Sequence, residues 1–457
     1  MKGGGKMLRE DFYWGGAVTA HQSEGAYEAG GKSPAVCDLI PLLGPSGFKK
    51  DDHFSHSNFK DGIDAYHLYD EDFAMLEELG FTSYRFSIDW SRVSPDGIHF
   101  SEESMQFYDD FIDSMIRHGM DPICSLYHFE MPQVLYEKYN GFYSREVVDM
   151  FVNYANKMID RYGNRVKKWV SFNEQNSIGQ YGSSKIAYGA VCPEGVDDET
   201  FVNQLVHNTF VAHAKVVEKV HTVKDALVLG MVIYYPFYAY SCSPEDQLAA
   251  FNANETMNMY FEMFTYGTYS AYSMSQMQKN KTMPLIEDGD LELLKNNTCD
   301  WLSLSYYFSL TTKAGQDKVN NPHIKASDWG WPIDPMGLRL GLRDIYAKYR
   351  LPIIVTENGL GTKDKFIDGT VNDDYRIDYM KKHINAIYTA VEEGVDCRGY
   401  LMWGPIDILS SHAEMDKRYG VIYVNRDNDD LKDMKRYKKK SFYWYQRVIE
   451  TNGEDLG

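Results

Sequence analysis

The sequence predicts an α/β fold, a single (β/α)8 barrel (TIM barrel) spanning residues 1–457, with extended loops at the C-terminal face of the strands. Three observations lead there. Short runs rich in β-branched and aromatic residues recur eight times, each is followed by a turn and a stretch of helical periodicity, and no G-x-G-x-x-G or Walker turn marks an open doubly wound sheet. Alternation of strand and helix argues for parallel strands, and eight units match a closed barrel in number.

Taken in order, the strands are read as "WGGAV" from 14, "SYRFSI" from 83, "DPICSLYH" from 121, "VKKWVSFNE" from 166, "ALVLGMVIY" from 226, "DWLSLSYY" from 300, "LPIIVTEN" from 351 and "RGYLMW" from 398. Amphipathic segments lie between them, among them "DEDFAMLEELG", "SREVVDMFVNYANKMIDRYG", "DETFVNQLVHNTFVAHAKVVEKVH" and "DDYRIDYMKKHINAIYTAVEEG". Carboxylates cluster near their starts and glycine closes several of them, which are ordinary helix boundary signals. Four stretches rich in Gly, Pro, Ser, Asn and Asp, at 30–62, 180–198, 309–335 and 407–432, are expected as insertions that wall a substrate site.

Composition narrows the function. A net charge of −19 repels nucleic acid and anionic membranes, so neither is an expected partner, and an anionic substrate needs its own cationic pocket. The 35 Tyr and 8 Trp suffice to line a carbohydrate-like cleft. Six cysteines form no C-x-x-C pair, no apolar run is long enough to span a membrane, and the N-terminus shows no secretory h-region, so a cytoplasmic setting is expected. No cluster has metal-ligand spacing, and no metal or organic cofactor is expected.

The chemistry-bearing residues sit where strands end. Arg85 lies inside the second strand, His128 follows the third, and Asn173 and Glu174 follow the fourth. Tyr307, Glu357 and Trp403 close the sixth, seventh and eighth. A lone glutamate there is usually a loop residue or a paired core charge. Recurrence at the same end of the barrel shifts the balance, because a core strand has no packing reason to finish in a carboxylate. Glu174 and Glu357 on strands that a closed barrel brings to one mouth suit cleavage of a glycosidic bond: one carboxyl protonates the leaving oxygen, while the other attacks the anomeric carbon or activates water. Their separation, which decides between retention and inversion, is not readable from sequence.

"SFNEQN", "IVTENGL", "WGGAVTAHQSEGA", "YRFSIDWSRV" and "SLYHFEMPQVL" resemble, in order and along nearly the whole chain, the motifs of glycoside hydrolase family 1. That resemblance implies a retaining β-glycosidase with Glu357 as nucleophile and Glu174 as acid/base. It puts Gln22, His128, Asn173 and Trp403 around the sugar, and Tyr307 and Arg85 beside the nucleophile, where a phenol and a cation help keep a carboxylate ionised. Three departures stand out: Gln175 where the family usually has Pro, Ser305 where it has Asn, and Ser23 where Val is common.

After the eighth strand the chain reads "WGPIDILSS". Relatives that act on plain glucosides have a Glu and a Trp where Ser410 and Ser411 stand. A carboxylate there repels a 6-phosphate, whereas serine removes the repulsion and offers a donor. With Lys417 and Tyr419 this resembles the phosphate site of the 6-phospho-β-glycosidases, although a solvated Lys and a packed Tyr are the ordinary alternatives for each alone. "YAYSCSPEDQLAA", "KASDWGWPIDPMGLR", "NDDYRIDYMKKHI" and "KKKSFYWYQRVIETNGEDL" resemble 6-phospho-β-glucosidases, and the same resemblance implies a gluco over galacto preference from the small residue at 411. Trp331 is placed on the leaving-group side by the same resemblance, with loop packing as the alternative.

The resulting expectation is a 6-phospho-β-glucosidase acting on a small phosphorylated disaccharide or aryl glucoside, such as cellobiose 6-phosphate. A β-glucosidase for neutral sugars and a catalytically inactive sugar-phosphate binding protein are the rivals. A homo-oligomer is common for such enzymes and is neither argued for nor against by the sequence.

Overall fold

The computed structural model describes residues 8–39, 58–178, 187–316 and 318–457. Eight parallel strands close into a barrel: β1 (Tyr13–Ala17), β2 (Ser83–Ser87), β3 (Asp121–Ser125), β4 (Lys168–Val170), β5 (Leu227–Tyr234), β6 (Trp301–Tyr306), β7 (Ile353–Asn358) and β8 (Cys397–Trp403), with β8 returning to pair with β1. All eight segments read from the sequence are strands. The fourth is shorter than its apolar run: pairing ends at Val170, so Asn173 and Glu174 stand in the turn beyond it.

A helix follows each strand: α1 (Ala65–Leu79), α2 (Glu102–Arg117), α3 (Arg145–Tyr162), α4 (Asp198–Val220), α5 (Pro244–Tyr266), α6 (Pro335–Tyr349), α7 (Asp374–Glu392) and α8 (Lys440–Glu450). Side-chain oxygens hold several of their free N-terminal amides. Ser101 accepts from Ser104, Asp197 from Glu199 and Thr200, and Ser243 from Asp246. No described helix is long and apolar enough to cross a membrane.

Two apolar cores result from the alternation of side chains along buried strands. The larger lies between strands and helices. The smaller, made of Ile123, Val170, Leu229, Met231, Ile354 and Leu401, comes from five strands and plugs the barrel. Nearer the C-terminal strand ends the inward positions turn polar, and the site is built there. One irregularity matters. Ile354 belongs to the plug, so strict alternation turns residue 357 away from it, but β6 and β7 slip register between Leu304↔Val355 and Ser305↔Glu357. The extra residue, Thr356, flips the alternation and carries Glu357 onto the inner face.

The loops expected as insertions do lie around the mouth where described: residues 309–335 follow β6 and 407–432 follow β8. Residues 40–57 and 180–186 of the other two, and residue 317, lie outside the described residues.

Candidate active site

Arg85, fully buried on β2, organises the mouth. Its Nη1 donates to Glu357 Oε1 at 2.5 Å, its Nη2 to Asn173 Oδ1 at 2.7 Å, and its Nε to Ser125 Oγ at 2.9 Å. One guanidinium fork thus ties β3, the turn after β4 and β7. The Tyr307 hydroxyl donates to the other carboxylate oxygen of Glu357 at 2.8 Å. Both partners anticipated for this carboxylate are in place, and both favour its charged form.

Glu174 has no such guanidinium. It is held in the left-handed backbone region at φ 40°, directly before a short 3-10 turn of Gln175–Ser177. Burial raises its carboxyl, and the nearby Glu357 charge raises it further, against the weaker pulls of the Ser305 hydroxyl and Arg85. Burial also raises Glu357, but Arg85, Tyr307 and Ser305 oppose it. Burial thus acts to raise both carboxyls, but Glu357 has a guanidinium and a phenol bonded to it that favour its charged form, whereas Glu174 has the Glu357 charge against it, which favours its protonated form.

The other residues expected around the sugar lie at the same strand ends. The Gln22 amide donates to the Leu409 carbonyl at 2.7 Å, which ties the first strand's turn to the start of the Ser410 loop. The His128 ring lies 5.8 Å from Trp403, and burial with Arg85 and His21 nearby holds it well below the usual histidine range, so the ring is neutral. Glu130 is fully buried and accepts from Thr19 and Ser87, each at 2.7 Å, and from the His128 backbone at 2.8 Å. Glu130 lies within "SLYHFEMPQVL", where nothing in the sequence pattern sets it apart.

The proposed anion grip adjoins this group. The Tyr419 ring is 6.4 Å from Tyr307, and the Trp331 ring lies 5.6 Å from Tyr307 and beneath the Lys417 ammonium. The Ser410 hydroxyl accepts from the backbone amides of His412 (3.2 Å) and Glu414 (3.3 Å), which shapes the loop and leaves its own proton free to donate. Ser411 is exposed on the same turn. Trp331 is half-buried and its ring serves as a platform for Lys417. Trp329, the second indole near Lys417, was missed; the repeat in "WGW" was the available signal.

The family profile described as glycosyl hydrolase family 1 matches residues 5–454. The chain belongs to glycosyl hydrolase family 1. Among its relatives are the aryl-phospho-beta-D-glucosidases BglC and BglA of Bacillus subtilis (strain 168). BglC is 40% identical over 97% of this chain and 98% of its own. BglA is 41% identical over 98% of this chain and 99% of its own. In three dimensions this family 1 member is similar to a family 1 β-glucosidase from Thermotoga maritima, with a TM-score of 0.86 and 27% identity across 98% of this chain and 99% of that one. A family 1 glycoside hydrolase barrel is thus established by sequence and shape together.

Proposed function

We propose that this family 1 member is a 6-phospho-β-glucosidase: it hydrolyses 6-phospho-β-D-glucosides, aryl glucoside phosphates and cellobiose 6-phosphate among them, with retention, and releases glucose 6-phosphate. The names of BglC and BglA support a phosphorylated aryl glucoside. The observation that carries the reading on this chain is Lys417 against Tyr419, whose ring neighbours that of Tyr307 beside Glu357, on a loop that has serine at 410 where a neutral-sugar enzyme needs a carboxylate.

In the first step the Glu357 carboxylate attacks the anomeric carbon while Glu174 gives its proton to the departing oxygen, so a glycosyl ester forms as the glycosidic bond breaks. In the second, Glu174 takes a proton from water, the water oxygen attacks the same carbon, and the ester opens to restore Glu357. Gln22, His128, Asn173 and Trp403 hold the ring, and Trp331 borders the leaving group. A phosphate gripped by Ser410, Lys417 and Tyr419 adds binding energy to the contacts that hold the ring. The small Ser411 suits the gluco epimer.

The whole chain, residues 1–457, is read as one working domain, because the barrel closes between β1 and β8 and the family match spans both. All six cysteines are unpaired, which suits a reducing cytoplasm. Turnover of p-nitrophenyl β-glucoside against its 6-phosphate, with the anomer of the first-formed product read by NMR, tests the proposal. A preference for the unphosphorylated compound overturns the substrate, and an α product overturns retention.

A further inference from the structure

The segment that follows the nucleophile strand, residues 359–364, runs beside residues 417–419. Three contacts register one against the other. Thr362 and Arg418 exchange backbone hydrogen bonds in both directions, each at 3.0 Å. Gly361 faces the lysine so closely that a Cβ there would lie 2.6 Å from Lys417 Cε and 2.9 Å from Tyr419 Cζ. Behind both sits the guanidinium of Arg376, from the buried face of α7 and wholly shielded from solvent.

Arg376 Nη1 donates to the carbonyl of Leu360 at 2.8 Å, to that of Tyr419 at 2.9 Å and to that of Arg418 at 3.3 Å. Its Nε donates to Asp373 at 3.0 Å and its Nη2 to Asp364 at 2.8 Å. Arg376 therefore holds the backbone three residues beyond Glu357 and the backbone of Tyr419 itself on a single nitrogen. Only a planar fork with donors on three nitrogens reaches these partners together; an ammonium presents its donors from one point. The surrounding charges balance. Arg376, Arg418 and Lys439 face Asp364, Asp373 and Asp407, with Lys439 bonded to both Asp364 and Asp407, and Arg418 to Asp407 at 3.1 Å.

We propose that Arg376 is a positioning residue that fixes the offset between the nucleophile's strand and the side chains that grip the substrate phosphate. This rests on the reading of Lys417 and Tyr419 as phosphate ligands. Glu357 is secured independently by Arg85, Tyr307 and its pairing in the sheet, so slack introduced at Arg376 falls on residues 417–419. Loss of registration accordingly shows in how tightly a phosphorylated substrate is held, more than in the chemical step.

The test uses Arg376→Lys and Gly361→Ala in the full-length enzyme, assayed with p-nitrophenyl β-glucoside 6-phosphate and p-nitrophenyl β-glucoside. Lysine keeps the buried charge but cannot span the two segments; alanine leaves every charge in place and pushes on Lys417, so it serves where the first variant does not fold. For each, the KM of the phosphorylated substrate is expected to rise by about tenfold with kcat within about threefold, while kcat/KM for the neutral substrate stays within about twofold. A parallel fall on both substrates, or no change on either, in a variant that folds overturns the positioning role. Lys417→Ala separates the two ideas: if it leaves the preference for the phosphorylated substrate intact, the phosphate reading fails and this inference fails with it. If it abolishes the preference while the Arg376 and Gly361 variants keep it, only the inference fails.

Discussion

The ammonium of Lys417 stands 3.7 Å from the centre of the Trp331 ring, with Trp329 at 5.4 Å and Tyr419 at 5.6 Å. Three aromatic faces thus cradle one buried cation. Burial pushes its ammonium down to about 8, with Glu414 pulling the other way. The lysine carries its charge below that pH and loses it above. The KM for a 6-phosphorylated substrate should therefore climb as pH passes from 7 to 9, and that for the neutral glucoside should climb less. Parallel pH profiles of KM for the two substrates check this; identical profiles remove Lys417 from the anion grip.

Ser410→Glu places a carboxylate beside the expected phosphate. Like charges at contact cost several kcal/mol, so kcat/KM on the phosphorylated substrate should fall by more than about tenfold while the neutral glucoside is spared or improved. The ratio of the two specificity constants is the measurement. An unchanged ratio assigns the Ser410 hydroxyl to loop shape alone, through its bonds to His412 and Glu414.

Tyr307 donates to Glu357 and lowers its carboxyl. Removing that hydrogen bond with Tyr307→Phe raises Glu357, so a larger share of it is protonated and unreactive at acid pH. The acid limb of kcat/KM should move to higher pH by about one pH unit, since a hydrogen bond to a charged group is worth about 1.5–3 kcal/mol. The alkaline limb, set by loss of the Glu174 proton, should move far less. A limb that moves to lower pH contradicts the assignment of Glu357 as the ionised partner.

Asp364 gives a prediction about stability. Burial acts to raise its carboxyl, but Lys439 and Arg376 outweigh this and hold it at about 2. Its folded value lies below the unfolded one of about 3.9, so its contribution is complete above that range and fades as pH drops toward 2. Asp364→Asn leaves Lys439 and Arg376 short of a partner and should cost about 3–5 kcal/mol at pH 7. The gap in melting temperature between wild type and variant should then narrow steadily from pH 5 to pH 3, as read by calorimetry.

Much of this was legible in the sequence because the barrel repeats one simple pattern. Eight apolar runs announced eight strands, and polar residues at their ends marked the mouth. Other features were hidden for identifiable reasons. Nothing in "IIVTEN" tells that Thr356 is an extra residue in the pairing with β6, since a bulge is a property of two strands and periodicity is read on one. Arg376 looked like any basic residue of an amphipathic helix, because its partners lie in segments far apart along the chain. The roles of Trp329 and Trp331 beneath Lys417 likewise depend on how the loop after β6 folds over the loop after β8. Strand ends were visible one at a time; contacts between separate loops were not.

Glu174 occupies a backbone conformation at φ 40° that only glycine adopts without penalty. On the proposed role of Glu174 as proton donor, a glycine at this position removes the acid and relaxes the turn at once, whereas an alanine removes the acid and keeps the turn tense. The inactive glycine protein should thus melt later than the inactive alanine protein, by an amount corresponding to about 1 kcal/mol. That difference measures how much robustness this scaffold forgoes to aim one acid.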